Sequence, residues 1–324
     1  MKIIAILPVR NESWIIRHNL NILIEICDEI LVTDGDSTDG TREICSSFEK
    51  VHLLTDEEKG PAILLIHGFG ASTKHWRHNL PVLGKQYEVH ALDLLGFGKS
   101  SKPGGLAYGG PLWKDQIVSY VKENIGRPTI LVGNSLGGYA ALASGAALGA
   151  EAAGVVLLNA AGYFSEDKKP TKGFWATARK TVAGIFLKNA LLQRIIFENL
   201  RQPSTIKRTL NQVYIDTSNV DDELVESIRK PSLDAGAFNV FKSVFDPAGP
   251  EGRPLDELFS QLKSPLLLLW GNRDPWMNAP GKRATYKKYT PENTKEVVLD
   301  AGHCPHDEVP DQVNSALLQW IAEL

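Results

Sequence analysis

The sequence is poor in cysteine: Cys27, Cys45 and Cys304 are the only three among 324 residues. Their number is odd, and no two of them have the short spacing of paired zinc ligands. The set therefore argues against both a disulfide framework and a zinc site. Sparse, unpaired cysteines suit a reducing compartment, so we expect a cytoplasmic protein.

Long apolar runs and a strong charge bias are also absent. No apolar run approaches the roughly 20 residues that a membrane-spanning helix needs. The apolar start over residues 3–7 is followed by Arg10, Asn11 and Glu12 without a small-residue cleavage site, which indicates a buried strand and not a signal peptide. The net charge of −3 gives no electrostatic reason to bind nucleic acid or an anionic membrane. We therefore expect neither a nucleic-acid partner nor stable membrane insertion.

What the sequence does contain is a regular alternation of short apolar runs and helical patterns. Hydrophobic residues make up 43% of the chain and charged residues 23%, an ordinary globular composition. The apolar runs predict strands over residues 3–9, 29–34, 51–54, 62–66, 89–93, 129–132, 155–158, 264–270 and 296–299. Helical periodicity predicts helices over residues 13–27, 39–48, 73–86 and 112–125, after Ser135, and from about residue 311. Strands that alternate with helices indicate an α/β fold with a mostly parallel sheet.

Two interruptions divide this alternation. The polar residues 55–60 separate an N-terminal βαβαβ fragment, predicted over residues 1–58, from a larger domain over residues 59–324. A second interruption, over about residues 161–260, has helical patterns and no clear strand, which predicts a helical lid inserted between two strands. Apolar side chains of the lid either line a pocket for an oily substrate group or pack the lid against the domain: Phe164, Phe174, Trp175, Phe186, Leu187, Leu191, Leu192, Ile195, Ile196 and Phe197.

The central functional signal is the segment Gly133-Asn134-Ser135-Leu136-Gly137. It follows an apolar strand and precedes an alanine-rich helix, which is the setting of a nucleophile elbow. Small residues two positions on either side of the serine let the backbone turn sharply and lift the hydroxyl out of the sheet. The N-terminus of the helix then favours negative charge nearby. Because this context accompanies a motif that is weak by itself, Ser135 is the predicted nucleophile.

A serine hydroxyl becomes a good nucleophile only when a base removes its proton. His303 follows the last predicted strand and is the predicted base, with His306 as the alternative. Asp274, at the end of the preceding strand, is predicted to orient the histidine and stabilise its protonated form. Asp300 lies too close in sequence to His303 to reach the far nitrogen of its ring. The chain order Ser, Asp, His differs from the orders in chymotrypsin and subtilisin.

Negative charge that develops on the substrate oxygen needs preorganised donors. We predict that the backbone amides of Leu136, next after the nucleophile, and of Phe69 form this oxyanion hole. Phe69 lies in the segment His67-Gly68-Phe69-Gly70, where glycines allow the backbone to approach a substrate closely. His67 is interpreted as positioning this loop and not as a catalytic group.

Residues 60–324 resemble the α/β-hydrolase superfamily. The segments HGFG, DLLGFGKS, GNSLGG, WGNRDPW and AGHCPHDEVP occur in the family's order, and the last, together with GNSLGGY, is similar to the pheophytinase-like branch of plants and cyanobacteria. The resemblance implies ester hydrolysis by Ser135, His303 and Asp274 without a cofactor or metal, and the branch implies a bulky hydrophobic ester. Dehalogenases and epoxide hydrolases of the family carry aspartate in place of Ser135, so their reactions are disfavoured.

Residues 1–54 resemble the start of a family 2, GT-A-type glycosyltransferase. Residues 8–12, PVRNE, match its P-x-x-N-E start, and residues 32–41, VTDGDSTDGT, resemble its V-x-D-D-G-S-T-D-G-T segment with one glycine and one aspartate exchanged. In that family this region holds the nucleotide of a sugar donor, and Asp34 is the matching residue. The later D-x-D metal motif and the catalytic base have no counterpart here. We therefore expect no transferase activity and interpret the chain as a fusion of two incomplete parts.

These observations predict a carboxylic-ester hydrolase that acts through an acyl-enzyme on a small hydrophobic molecule. Two alternatives remain. One is hydrolysis of a carbon–carbon bond with the same triad, and the other is a catalytically silent fusion or ligand receptor. Activity on a vinylogous diketone without activity on simple esters would favour the first alternative.

Overall fold

The computed structural model describes residues 3–35, 37–54, 60–168, 189–246, 252–277 and 279–324. The chain divides into two compact units, Met1–Gly60 and Pro61–Leu324. Most of the polar stretch predicted as the junction, residues 55–59, lies outside the described residues. Each unit has its own sheet and its own hydrophobic core.

The N-terminal unit has the predicted βαβαβ order: β1 (Ile4–Val9), α1 (Ile16–Ile26), β2 (Glu29–Asp34), α2 (Thr41–Ser46) and β3 (Val51–Leu54). The strands form a parallel sheet in the order β1-β2-β3. Successive side chains of a strand point to opposite faces. On one face Val9, Ile30 and Val32 form a core with Ile16 and Leu20 of α1, which is why the apolar runs of strand and helix occur together in the sequence.

The larger unit contains a sheet of six strands: β4 (Ala62–Ile66), β5 (Val89–Leu92), β6 (Thr129–Asn134), β7 (Ala152–Leu158), β8 (Leu266–Gly271) and β9 (Lys295–Leu299). All neighbours are parallel, in the order β5-β4-β6-β7-β8-β9, which confirms the predicted parallel α/β sheet. Since β4 lies between β5 and β6, the direction in which strands are added reverses there. Ligands of open α/β sheets bind at the carboxyl ends of the strands at such a reversal, where the loops after β4 and β6 carry Phe69 and Ser135.

Helices cover both faces of the six-stranded sheet and form the lid: α3 (Leu80–Leu83), α4 (Gly110–Tyr120), α5 (Leu136–Leu148), α6 (Ala190–Leu200), α7 (Pro203–Val213), α8 (Asp222–Ser232), α9 (Ala237–Val244), α10 (Leu255–Gln261), α11 (Ala279–Tyr289), α12 (Pro305–Glu308) and α13 (Pro310–Ile321). On one face Leu64 and Ile66 pack in a core with α4 and α5. On the other, Ile63 and Leu65 pack with α3 and α13. Strands that are buried on both faces explain the continuous apolar runs in the sequence.

The predicted helix over residues 73–86 is wrong. The structure has a 3₁₀ turn at Thr73–Trp76 and then the short α3, in which Pro81 occupies the first turn. Proline has no N–H to donate to a preceding helical turn, so a continuous helix cannot pass through this position. Gly84 follows α3 directly and ends it.

The part of the lid that the structure describes is helical, in agreement with the prediction. Phe164 packs against Tyr286 and Tyr289 of α11 and so belongs to the contact between lid and domain body. Four of the apolar residues named in the sequence lie outside the described residues: Phe174, Trp175, Phe186 and Leu187. Across the described ranges, no helix combines the length and apolar character needed to cross a membrane.

Candidate active site

Ser135 lies where β6 ends and α5 begins. Its φ is 54° and its ψ is −117°, a rare conformation for a residue with a side chain. A Cβ on Gly133 would lie 2.2 Å from the carbonyl oxygen of Gly137, and a Cβ on Gly137 would lie 2.4 Å from that of His67. Both distances are far below van der Waals contact, so only glycine fits. The resulting turn presents Ser135 at the carboxyl end of the sheet.

This backbone strain is measurable in the stability of the protein. A non-glycine residue in a sparsely populated region costs about 1–3 kcal/mol, and glycine relieves that strain but loses more entropy on folding. We expect Ser135→Gly to have a free energy of unfolding about 1 kcal/mol higher than Ser135→Ala, measured by urea denaturation. At Ser144, inside α5, the same pair of substitutions should give the reverse order, because glycine costs about 1 kcal/mol relative to alanine in a helix. Equal stabilities at position 135 would contradict the strain.

The loop after β4 passes beside this turn. His67 is fully buried, and its Nε2 accepts a hydrogen bond from the amide of Leu94 at 3.1 Å. Its Nδ1 therefore carries the proton and donates to the carbonyl oxygen of Gly68 at 2.7 Å. Burial lowers the pKa of His67, which keeps the ring neutral in this role. A Cβ on Gly68 would lie 3.3 Å from Cβ of Ser135, so His67 holds the Phe69 loop against the serine.

The predicted oxyanion donors lie on the two sides of this contact. Phe69 is in the loop beside Ser135, and its half-exposed ring contacts Phe97 and Phe245 edge to face, with centroids 5.5 and 5.3 Å away. Leu136 is the first residue of α5, where a backbone N–H has no acceptor within its own helix. Both residues are thus carried by loops at the carboxyl ends of neighbouring strands, β4 and β6.

His303 and Asp274 form a buried pair. His303 Nδ1 lies 2.6 Å from Asp274 Oδ2, and the two residues are 4% and 6% exposed. The other carboxylate oxygen of Asp274 accepts hydrogen bonds from the amides of Trp276 and Met277, at 2.7 and 3.1 Å. A carboxylate held in this way accepts the proton of Nδ1, which leaves the opposite ring nitrogen, Nε2, as an acceptor. The ring centroid of Trp276 lies 5.0 Å from that of His303.

Two buried asparagines, which the sequence did not single out, join the serine turn to the His303 loop. Asn134 Nδ2 donates to the carbonyl oxygen of His303 at 2.9 Å. Asn159, which follows β7, donates through Nδ2 to the carbonyl oxygen of Gly302 at 2.9 Å and accepts from the amide of Gly271 at 3.1 Å. The carboxyl ends of four neighbouring strands, β6, β7, β8 and β9, are therefore connected. The sequence signal that could have identified both asparagines is their position, because each is a polar residue at the end of a fully buried strand.

Within the described residues, no hydrogen bond joins Ser135 Oγ to His303. Such contacts are often long in unliganded enzymes and shorten when substrate binds. The structure thus joins two of the three predicted catalytic side chains directly. It connects the third, Ser135, through the neighbouring Asn134.

The other acidic and basic candidates lie elsewhere. His306 is fully buried, with its ring centroid 4.2 Å from Trp76 and 4.4 Å from His75, and burial holds its pKa well below the usual range. Asp300 is exposed and forms an ion pair with Arg273, with 3.5 Å between Oδ1 and Nη1. Neither residue takes part in the contact between Asp274 and His303.

An apolar cavity of about 120 Å³ opens beside Phe69. Phe97 and Phe69 form its wall on the domain body, while lid helices α6 to α9 supply the opposite wall: Phe197, Leu200, Ile206, Ile228, Val240 and Phe241. Of the apolar lid residues named from the sequence, Phe197 lines this cavity, whereas Leu191 and Ile195 are exposed. The lid therefore contributes both a pocket wall and ordinary packing.

In the N-terminal unit, the aspartate that matches the nucleotide region of the glycosyltransferase family lies in a hydrogen-bond network. The buried carboxylate of Asp34 accepts hydrogen bonds from Ser37 and forms an ion pair with Arg42. Asp39 accepts from the amide of Ser13 at 2.9 Å and from Thr41. Asp39 thus joins the segments that follow β1 and β2, whereas Asp34 holds together the segment after β2.

Comparison with known families assigns the larger unit. Residues 61–310 match the family model for the alpha/beta hydrolase fold. The chain belongs to the α/β-hydrolase family. In this hydrolase Ser135 follows β6, Asp274 follows β8 and His303 follows β9. Residues 4–76 match the model of glycosyl transferase family 2, so the resemblance predicted for the N-terminal unit is confirmed.

Relatives of the hydrolase are named for different activities. The chloroplastic pheophytinase of Arabidopsis thaliana is 31% identical over 306 residues, which cover 83% of this chain and 63% of the pheophytinase, so the chain spans less than two thirds of that relative. The 2-hydroxymuconate semialdehyde hydrolase of Pseudomonas sp. (strain CF600) is 29% identical over 68% of this chain and 70% of the relative. The structure of a membrane phospholipase A, described as a bacterial virulence factor, is 26% identical to this chain with a TM-score of 0.63. The match covers 82% of this chain and 81% of the phospholipase chain.

Proposed function

We propose that this hydrolase cleaves a carboxylic ester through an acyl-enzyme, with Ser135 as nucleophile, His303 as base and Asp274 as the acid that orients the base. The observation that carries the proposal is the buried hydrogen bond of 2.6 Å between His303 and Asp274, on a loop that Asn134 ties to the turn of Ser135. A neutral imidazole whose Nδ1 is held by a carboxylate has Nε2 available to accept a proton.

In the first half of the reaction, Ser135 Oγ attacks the carbonyl carbon of the ester while its proton passes to His303 Nε2. The carbonyl oxygen becomes an oxyanion, which the backbone amides of Phe69 and Leu136 stabilise. The tetrahedral intermediate then collapses, the bond to the alcohol oxygen breaks, and His303 returns its proton to the leaving alcohol. In the second half, water gives a proton to His303 as its oxygen attacks the acyl carbon of the acyl-serine. The bond to Ser135 Oγ then breaks, His303 returns the proton to Oγ, and the acid is released. Asp274 holds the imidazolium in both halves.

We further propose a bulky hydrophobic group on the substrate. The cavity beside Phe69 is lined mainly by aromatic and aliphatic side chains, including Phe97, Phe197 and Phe241. Apolar surface of this kind favours an oily acyl or alcohol group over a charged one. The pheophytinase relative is consistent with a large ester.

The direct test is labelling of the full chain with a fluorophosphonate probe, followed by mass spectrometry. We expect the probe to modify Ser135 and the label to be lost in Ser135→Ala, because only an activated serine attacks phosphorus at a useful rate. Circular dichroism of both proteins controls for folding. An unlabelled Ser135 in a folded, monodisperse wild-type sample would contradict the proposal and favour a silent fusion or receptor.

Hydrolysis of a carbon–carbon bond is the second candidate, favoured by the similarity to the semialdehyde hydrolase. Both reactions use the same three side chains, so labelling does not separate them. A panel of p-nitrophenyl esters with acyl chains of increasing length, measured beside a vinylogous diketone, does. Faster turnover of long-chain esters supports the ester proposal, whereas turnover of the diketone alone supports the second candidate.

We propose that the functional domain comprises residues 59–324 with a lid at about 161–260, and that residues 1–58 are a glycosyltransferase-like fragment without transferase activity. A cytoplasmic location is proposed because all three cysteines are free and buried. The small-molecule ester is the partner that this proposal requires.

A further inference from the structure

Two consecutive buried carboxylates follow the catalytic histidine. Asp307 and Glu308 end α12, a few residues after His303, and are 0% and 4% exposed. A buried carboxylate is retained only when its oxygens are hydrogen-bonded or paired with a cation. The two side chains meet this requirement in different ways.

Glu308 connects two separate segments of backbone. Its Oε2 accepts a hydrogen bond from the amide of Gly302 at 2.8 Å. Its Oε1 accepts from the amides of Ile215 and Asp216, both at 2.9 Å, in the stretch that follows α7. One side chain thus fixes the residue before His303 to a segment of the lid.

A backbone contact lies beside this connection. The amide of His303 donates to the carbonyl oxygen of Val213 at 2.8 Å. A Cβ on Gly302 would lie 2.0 Å from the same oxygen, so the two segments touch without room for a side chain. The segment 213–216 therefore packs directly against the backbone of Gly302 and His303, and Glu308 holds the segment in this position.

The side chain of Asp307 contacts the same segment through Tyr214, but unlike Glu308 it does not bind the amide of Gly302. It accepts hydrogen bonds from Arg77 Nε at 3.1 Å and from the hydroxyl of Tyr214 at 3.0 Å. Arg77 in turn binds Asp221 through Nη1 at 2.9 and 2.7 Å. Asp307 is thus a neighbouring buried carboxylate that anchors the lid without reaching Gly302.

We infer that Glu308 is a positioning residue for the general base. By joining Gly302 to residues 215 and 216, it sets where the ring of His303 stands relative to Ser135. This inference rests on the proposed function of His303. Misplacement of a catalytic group by about 1 Å costs on the order of 100-fold in rate, so a contact that fixes its backbone affects turnover without touching the substrate.

The test compares Glu308→Gln with Asp307→Asn in the full chain. Glutamine has one acceptor and one donor end, so one end must face a backbone N–H donor and that side of the connection opens. For folded Glu308→Gln we expect kcat on a p-nitrophenyl ester and the rate of fluorophosphonate labelling to fall about 10–100-fold, with KM changed less than about twofold. Hydrogen exchange should become faster at the amides on the side that opens, which is either Gly302 or Ile215 and Asp216.

For Asp307→Asn we expect a lower melting temperature but kcat within about threefold of the wild type. A folded Glu308→Gln protein with wild-type kcat, or an equal loss of kcat in both variants, would overturn the inference. If Glu308→Gln does not fold, Glu308→Asp keeps the charge but is too short to reach both segments, and the same results are expected. If wild-type Ser135 does not react, the proposed function fails. Unchanged exchange at all three amides, Gly302, Ile215 and Asp216, in Glu308→Gln would overturn the positioning role on its own.

Discussion

His303→Ala is expected to lower kcat for ester hydrolysis by about 10⁴-fold or more. The substitution removes the acceptor of the serine proton and the donor to the leaving alcohol together, while the backbone contacts of residue 303 with Asn134 and Val213 remain. We expect KM to change little, because the apolar cavity that would bind the substrate is lined by other residues. Steady-state kinetics on a p-nitrophenyl ester, corrected for the folded fraction, measure the loss.

The matched control is His306→Gln. His306 is buried against Trp76 and His75 and makes no contact with Asp274, so its replacement should affect stability more than kcat. If His303→Ala kept kcat within tenfold of the wild type and His306→Gln lost it, His306 would be the base.

Asp274→Asn should lose about 10⁴-fold in kcat, because an amide no longer holds the histidine in its reactive tautomer.

Acidification from pH 7 to pH 4 is expected to reduce the free energy of unfolding by about 3 kcal/mol through His75 alone, at about 1.4 kcal/mol for each unit of pKa difference. Burial lowers the pKa of His75 from its ordinary value of 6.5 to about 4. Its Nε2 donates to the hydroxyl of Tyr214 at 2.8 Å, since that hydroxyl donates to Asp307. The folded protein thus keeps the ring neutral where the unfolded chain protonates it.

The sign follows from this difference. Between pH 6.5 and 4 the unfolded chain binds a proton that the folded chain does not, so the stabilisation is complete above pH 6.5 and is lost as the pH falls towards 4. His67 and His306, whose pKa values are also lowered by burial, act in the same direction.

Urea denaturation followed by tryptophan fluorescence at pH 7, 5.5 and 4.5 checks this expectation. His75→Gln keeps a donor for Tyr214 but does not titrate, so its stability should fall less with acid than that of the wild type. His18→Gln, which replaces an exposed histidine, should show the wild-type dependence. Equal acid sensitivity in wild type and His75→Gln would contradict the assigned role of burial.

The strands could be predicted because their signal is local. Each strand of the larger sheet is a short apolar run, and the predicted run at residues 155–158 differs from Ala152–Leu158 only at its start. The elbow was predictable for a similar reason, since glycines at fixed spacing around Ser135 are a local requirement of the turn. The chain order of Ser135, Asp274 and His303 then followed from which strands they end.

The supports of the site could not be predicted in this way. The supporting side chains bind partners more than 80 residues away or within a loop of irregular backbone: Asn134, Asn159 and Glu308. No spacing in the sequence indicates these contacts. Their residue types are common at exposed loop ends, where the same side chains would simply face water. Only the folded sheet, which brings the ends of β6, β7, β8 and β9 together, reveals what they bind.

The strands β7 and β8 are hydrogen-bonded neighbours, with Val155 opposite Leu266, although the whole lid lies between them in the chain. The entropy lost in closing a flexible loop grows only with the logarithm of its length, so doubling such a loop costs only about 0.6 kcal/mol. Evolution can therefore lengthen, shorten or exchange the lid, and with it the wall of the cavity, at little expense to the sheet. Relatives that are named for different activities are the expected outcome of this topology.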